Sequence, residues 1–190
     1  MDRPSTGNRR NPQTHRAIID AVREILSESD DLTFEEVARR SGAGKSTIYR
    51  WWPQKFDLFL EVYKDEFRHQ EPSPDLGDVQ AELECLIAAT LKGWANTTGG
   101  KAFRFLLAQL HQDHKCVQDV RNSFMPEQRE FFRMVLQRGR ERDQLREGLD
   151  LEVATDMLFG FTWHCLLSNK LDQSDPYLRA VMDTIFHGIL

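Results

Sequence analysis

The stretch Thr33–Lys55, TFEEVARRSGAGKSTIYRWWPQK, limits the possible folds more than any other part of the chain. Thr33 followed by Glu36 is a capping-box pattern, in which the hydroxyl accepts a backbone N–H and the carboxylate reaches back to the cap. Phe34, Val37 and Ala38 recur at helical spacing and give the helix an apolar face. Gly42 ends it, because glycine enters the left-handed region without a Cβ clash. A second short helix is expected from about Gly44 to Trp51, closed by Pro53, which disfavours helical geometry in the residue before it. In that helix Ile48 and Trp52 are one turn apart and face inward. Lys45, Thr47, Tyr49, Arg50 and Trp51 then face out. Two short helices joined by a glycine-containing turn make a helix-turn-helix, whose second helix can enter a DNA major groove.

The charge pattern agrees. From Val37 to Phe56 the charged residues are Arg39, Arg40, Lys45, Arg50 and Lys55, with no Asp or Glu, although the whole chain has a formal net charge of -5. A basic island on an acidic protein is what phosphate attraction at one end requires.

In fixed register, Ser41-Gly42-Ala43-Gly44-Lys45-Ser46-Thr47-Ile48-Tyr49 and then Arg50-Trp51-Trp52-Pro53-Gln54-Lys55 resemble the N-terminal DNA-binding module of TetR-family transcriptional regulators. Gly44 stands where Ser or Thr often caps the recognition helix, and Trp51 where a basic residue or His is often found. The resemblance implies an all-α fold: an N-terminal three-helix helix-turn-helix domain and a larger C-terminal helical domain for ligand binding and dimerisation. It implies DNA contacts from Thr33, Gly44, Lys45, Ser46, Thr47, Tyr49, Arg50, Trp51 and Lys55. It further implies a homodimeric repressor, released from a palindromic double-stranded operator by a small-molecule effector.

The rest of the chain reads as helices, and no strand pattern appears. Residues 1–11, with Arg3, Arg9 and Arg10, read as a flexible basic arm. The DNA-binding domain spans 12–70, with Ile18, Ala21, Val22, Ile25 and Leu26 on one face of its first helix. A further helix carries an apolar stripe of Phe56, Phe59, Leu60, Tyr63 and Phe67. Pro72, Pro74 and Gly77 mark the boundary of a C-terminal domain over 71–190. There, helices are expected from Asp78 to Asn96, from Lys101 beyond a Thr97–Gly100 break, from Pro126 to near Gly148, and over Leu151–Leu167 and Pro176–Leu190.

The last two helices are apolar on more than one side, so they are expected to pair with their symmetry mates as a four-helix interface. The expected interface residues are Leu158, Phe161, Cys165, Val181, Met182, Ile185, Phe186 and Ile189. An apolar or aromatic effector is expected against Trp94, Phe103, Leu107, His111, Phe124, Phe131, Trp163 and His164, since aromatics with a few polar tips suit such a pocket.

Three cysteines, Cys85, Cys116 and Cys165, far apart and odd in number, point to a reducing cytoplasmic setting. No apolar run is long enough to span a bilayer, and residues 1–16 lack the apolar core of a signal peptide. A metal-responsive alternative rests on His111, His114 and Cys116, but His114 and Cys116 do not share a face of a continuous helix. An enzyme is not expected, and no cofactor. Gly44-Lys45-Ser46 imitates the end of a P-loop, but Arg39 occupies the first glycine position and no strand precedes it. A helical protein-interaction module without DNA binding is opposed by the basic island and by the outward Thr47, Tyr49 and Arg50.

Overall fold

The structure, a computed structural model, describes residues 10–29, 31–67, 74–109, 117–118, 120–172 and 176–189. Its elements are α1 (Pro12–Glu28), α2 (Phe34–Ser41), α3 (Lys45–Trp51), α4 (Lys55–Phe67), α5 (Val79–Asn96), α6 (Thr98–Gln109), a π-helical turn (Val120–Phe124), α7 (Met125–Glu141), α8 (Leu151–Leu167) and α9 (Pro176–Ile189). The fold is all-α, with no strand among the described residues.

Local chemistry sets most boundaries. Asn11 caps α1 by accepting from the backbone N–H groups of Gln13 and Thr14, with Pro12 first in the helix. Thr33 Oγ1 accepts from Glu36 N at 3.2 Å, and Gly42 closes α2 at φ 68°. The Glu36 carboxylate does not return to the cap as the capping box predicts. It turns to Arg39 and Arg40, which offer stronger, charge-assisted donors.

Two predicted ends move. The break after Asn96 is real but only one residue long: α5 ends there, Thr97 is extended, and α6 starts at Thr98 rather than Lys101, taking both glycines into its first turn. Thr97 Oγ1 accepts from Gly100 N at 2.9 Å, and a Cβ on Gly100 would sit 2.5 Å from the carbonyl oxygens of Gly93 and Trp94. Gly100 therefore allows α6 to start against the end of α5. The long helix after Pro126 stops at Glu141, well short of Gly148. Asp143 takes φ 55°, Gln144 N donates to Gly139 O, and Asp143 N to Arg140 O. That is a Schellman closure, here built on Asp.

One contiguous core runs from α1 to α9. In the head, Ile18, Val22 and Leu26 of α1 are buried with Val37, Ile48 and Trp52. In the body, Phe103 lies 4.3 Å from Phe124, 4.9 Å from Tyr63, 5.8 Å from Trp163 and 6.0 Å from Trp94, ring centre to ring centre. Polar ties join the start of α6 to the head. Glu66 of α4 accepts from Thr98 Oγ1 at 3.1 Å and from Gly99 N, and Lys101 Nζ donates to Leu26 O at 2.9 Å.

Candidate nucleic-acid interface

Helix α3 has only seven residues and no side-chain N-cap, because Gly44 stands at that position. So short a helix is not stable alone. It is held by Ile48 and Trp52, both essentially excluded from solvent. That anchoring points Tyr49 and Arg50 outward, with Tyr49 49% exposed and its ring edge-on to Phe34 at 4.9 Å. Gly44, Lys45, Ser46 and Lys55 are also exposed, while Thr33 and Thr47 are half-buried at the same surface. Lys55 opens α4, where unpaired N–H groups and the helix dipole already favour an anion.

Trp51 departs from expectation. It is half-buried, with its ring 5.7 Å from that of Trp52 and 6.4 Å from His15, so it packs sideways on the head rather than projecting with Tyr49 and Arg50. A tryptophan one residue from a buried tryptophan gains more from covering that ring than from standing in water.

The basic island is also less free than its sequence suggests. Lys45 Nζ lies 3.0 Å from Glu35 Oε1. Arg39 and Arg40 are held by Glu36, and Arg40 also by Glu28 at 2.7 Å. Those hydrogen bonds from Arg39 and then Arg40 pull the Glu36 carboxyl down to about 2. Glu35 is lowered chiefly by the Lys45 hydrogen bond, and Glu28 chiefly by that from Arg40. The acidic partners stand just outside the Val37–Phe56 window, and the fold brings them back onto it. Arg50 and Lys55 make no ion pair among the described residues.

At the inner end of α3, the Glu61 carboxylate on α4 gathers three donors. Arg10 Nη1 lies 2.8 Å from Oε2, Trp52 Nε1 donates to Oε2 at 2.6 Å, and His15 Nε2 lies 2.6 Å from Oε1. Burial pushes the Glu61 carboxyl up, but hydrogen bonds from Arg10, His15 and Trp52 outweigh it and leave it lowered.

In the body, the expected ligand residues divide. Trp94, Phe103 and Phe124 are buried, and Trp163 joins their ring cluster with its Nε1–H buried and unpartnered among the described residues. Leu107 and Phe131 are half-buried. His164 lies apart: it is exposed, with its ring near Ser168 Oγ, because it faces away from the body on α8. His111, and with it His114 and Cys116 of the metal alternative, lies outside the described residues. A separate groove of about 340 Å³ opens between α5 and α9, over Ile87, Leu91, Leu178, Met182 and Phe186.

The expected interface residues divide as well. Leu158, Phe161 and Cys165 on α8 and Phe186 on α9 are buried inside the monomer, so they are not available to a partner. The neighbouring α8 stripe faces out, with Val153 55%, Met157 54% and Leu167 69% exposed alongside Gly160. Val181, Met182 and Ile185 are half-buried, and the Ile189 side chain is outside the described residues.

A three-helix head presenting a short, cation-bearing helix on an all-helical body defines a helix-turn-helix DNA-binding regulator. The pattern described as "Bacterial regulatory proteins, tetR family" matches residues 18–62, and that described as "Tetracyclin repressor-like, C-terminal domain" matches residues 73–185. The chain belongs to the TetR family of transcriptional regulators and is not an enzyme. It is 28% identical over 185 residues to the HTH-type transcriptional regulator YdeS of Bacillus subtilis (strain 168), covering 96% of this chain and 93% of YdeS. Among solved structures, the TetR family transcription regulator SCO0332 superposes with a TM-score of 0.71 at 30% identity, over 94% of this chain and 99% of that one. FadR from Bacillus subtilis, solved in complex with stearoyl-CoA, gives a TM-score of 0.67 at 19% identity over 91% and 96% of the two chains, which shows a shared fold.

Proposed function

We propose that this TetR-family regulator is a cytoplasmic homodimeric repressor that reads a palindromic operator with α3 and leaves it when a small apolar or aromatic effector enters the body. The observation that carries the reading is the presentation of α3: Ile48 and Trp52 buried, Tyr49 and Arg50 exposed, and Lys55 at the head of α4. Lys45, Ser46, Thr47, Tyr49 and Arg50 supply groove and phosphate contacts, and Thr33, Gly44 and Lys55 flank them. On this reading residues 12–70 form the DNA-binding unit, residues 71–190 the regulatory unit, and residues 1–11 a basic arm.

The dimer surface is the outward stripe of α8, Val153, Met157, Gly160 and Leu167, joined by Val181, Met182 and Ile185 of α9. Such exposed apolar side chains along one helix support a partner helix, and Gly160 allows close approach. The ring cluster around Phe103 supports the effector class, because it is mostly apolar and carries, among the described residues, one buried donor without a partner, Trp163 Nε1. A site built on that donor favours a ligand with a hydrogen-bond acceptor.

Light scattering after size exclusion tests the assembly. The wild type is expected as a dimer at micromolar concentration, and Met157→Asp with Leu167→Asp as a folded monomer with at least tenfold weaker duplex binding. A wild-type monomer that still binds duplex tightly would remove the dimer from the reading.

A further inference from the structure

Glu61 ties together three parts of the head that are distant in sequence. Its oxygens accept from Arg10 at 3.1 and 2.8 Å and from Trp52 Nε1 at 2.6 Å, and lie 2.6 Å from His15 Nε2. Arg10 continues the chain of contacts. Its Nη2 donates to Trp51 O at 2.8 Å, and its Cζ sits 4.8 Å from the centre of the Trp52 ring. The carbonyl of Trp51 is one of those a helix end leaves without an intrahelical donor, so Arg10 completes the end of α3 while Glu61 holds Arg10.

These contacts sit directly behind the residues that face out. Tyr49 and Arg50 immediately precede Trp51 and Trp52. Because α3 has no side-chain N-cap, its orientation depends on how its inner end is gripped. Arg10, Trp52 and Glu61 come from just before α1, the C-cap of α3 and the middle of α4, so the carboxylate triangulates α3 against the rest of the head.

We propose that Glu61 is a positioning residue for operator reading: through Trp52 and Arg10 it sets the angle at which α3 presents Tyr49 and Arg50 to the groove. The proposal rests on the reading of α3 as the recognition helix. It makes a prediction opposite in sign to simple electrostatics. Removing a negative charge beside a DNA-binding surface strengthens attraction to phosphate on any sequence. Releasing α3 weakens binding only where its angle matters, on the cognate sequence.

The test uses the full chain and two probes: a duplex enriched from a random pool by the wild-type protein, and a scrambled duplex of the same composition. Glu61→Gln is expected to keep wild-type helix content by circular dichroism and to lose at least tenfold affinity for the enriched duplex. Its affinity for the scrambled duplex should hold or rise. Arg10→Lys keeps the charge but loses the two-pronged contact to Glu61 and Trp51 O; it should shift the ratio of affinities the same way, and carries the test if Glu61→Gln does not fold. Wild-type affinity of both folded variants for the enriched duplex would overturn the proposal, as would equal loss on both probes. Failure of the wild type to enrich any duplex would overturn the reading of α3 itself, a result distinct from these.

Discussion

Glu36 and Glu82 each hold two arginines, yet the two sites behave differently. Glu36 lies on the DNA-facing head with its side chain 30% exposed, and both partners, Arg39 and Arg40, sit on its own helix. Glu82 of α5 has no exposure, and its partners Arg138 and Arg142 come from 56 and 60 residues away. Burial pushes the Glu82 carboxyl up, but hydrogen bonds from Arg142 and Arg138 and from Leu76 N more than offset it. Arg142 also reaches Asp75, so the segment before α5 is pinned to the end of α7. The contrast separates two uses of one chemistry. Local pairs near the surface are weak and exchangeable. A buried pair that spans the chain fixes tertiary structure, because removing one member strands the other.

The largest expected effect falls on the buried site. Glu82→Ala should destabilise the fold by about 3 kcal/mol, the low end for a broken buried pair, since Arg138 and Arg142 keep some access to water. Thermal unfolding checks it, and a shift no larger than that of Glu36→Gln would erase the contrast.

Next come Arg50 and Lys55, which make no ion pair among the described residues. Arg50→Ala should weaken binding to the enriched duplex by about 1–3 kcal/mol, confined to one base position. Lys55→Ala should weaken all duplexes alike and reduce the salt slope by about 1. Titrations at several salt concentrations, with each base pair of the site varied in turn, separate the two.

The smallest effect concerns acid stability. The folded Glu36 carboxyl, at about 2 against an ordinary value of 4.5, contributes stability above the ordinary range and loses it as pH falls toward 2. Glu36→Gln should therefore be less stable than the wild type near neutral pH, with the gap closing between about pH 4.5 and 2. Parallel unfolding curves across that window would contradict the assignment.

The same contrast explains what was readable in the sequence. The helix-turn-helix was legible because its signals are local: Thr33 at a cap, Gly42 at a left-handed turn, and Ile48 and Trp52 one turn apart. All-helical architecture followed from periodicity alone. Long-range pairing was not legible. Nothing in Glu28 or Glu35 says that it will neutralise Arg40 or Lys45, and nothing in Arg10 or Glu61 says that they meet behind α3. The α8 stripes were both visible, but which one the body would cover depended on where α7 lay. Gly99 and Gly100 read as part of a longer break because glycine lowers helix propensity, whereas the close approach of Gly100 to the carbonyls of Gly93 and Trp94 makes that glycine a requirement of packing.

The central claim is that two copies of α3, presented by a dimer, read DNA together, and selection of bound sequences from a random duplex pool tests it most directly. The expected result is an inverted repeat whose half-sites lie about one helical turn apart, ~34–36 Å. A single unpaired half-site, or no enrichment at all, would contradict it.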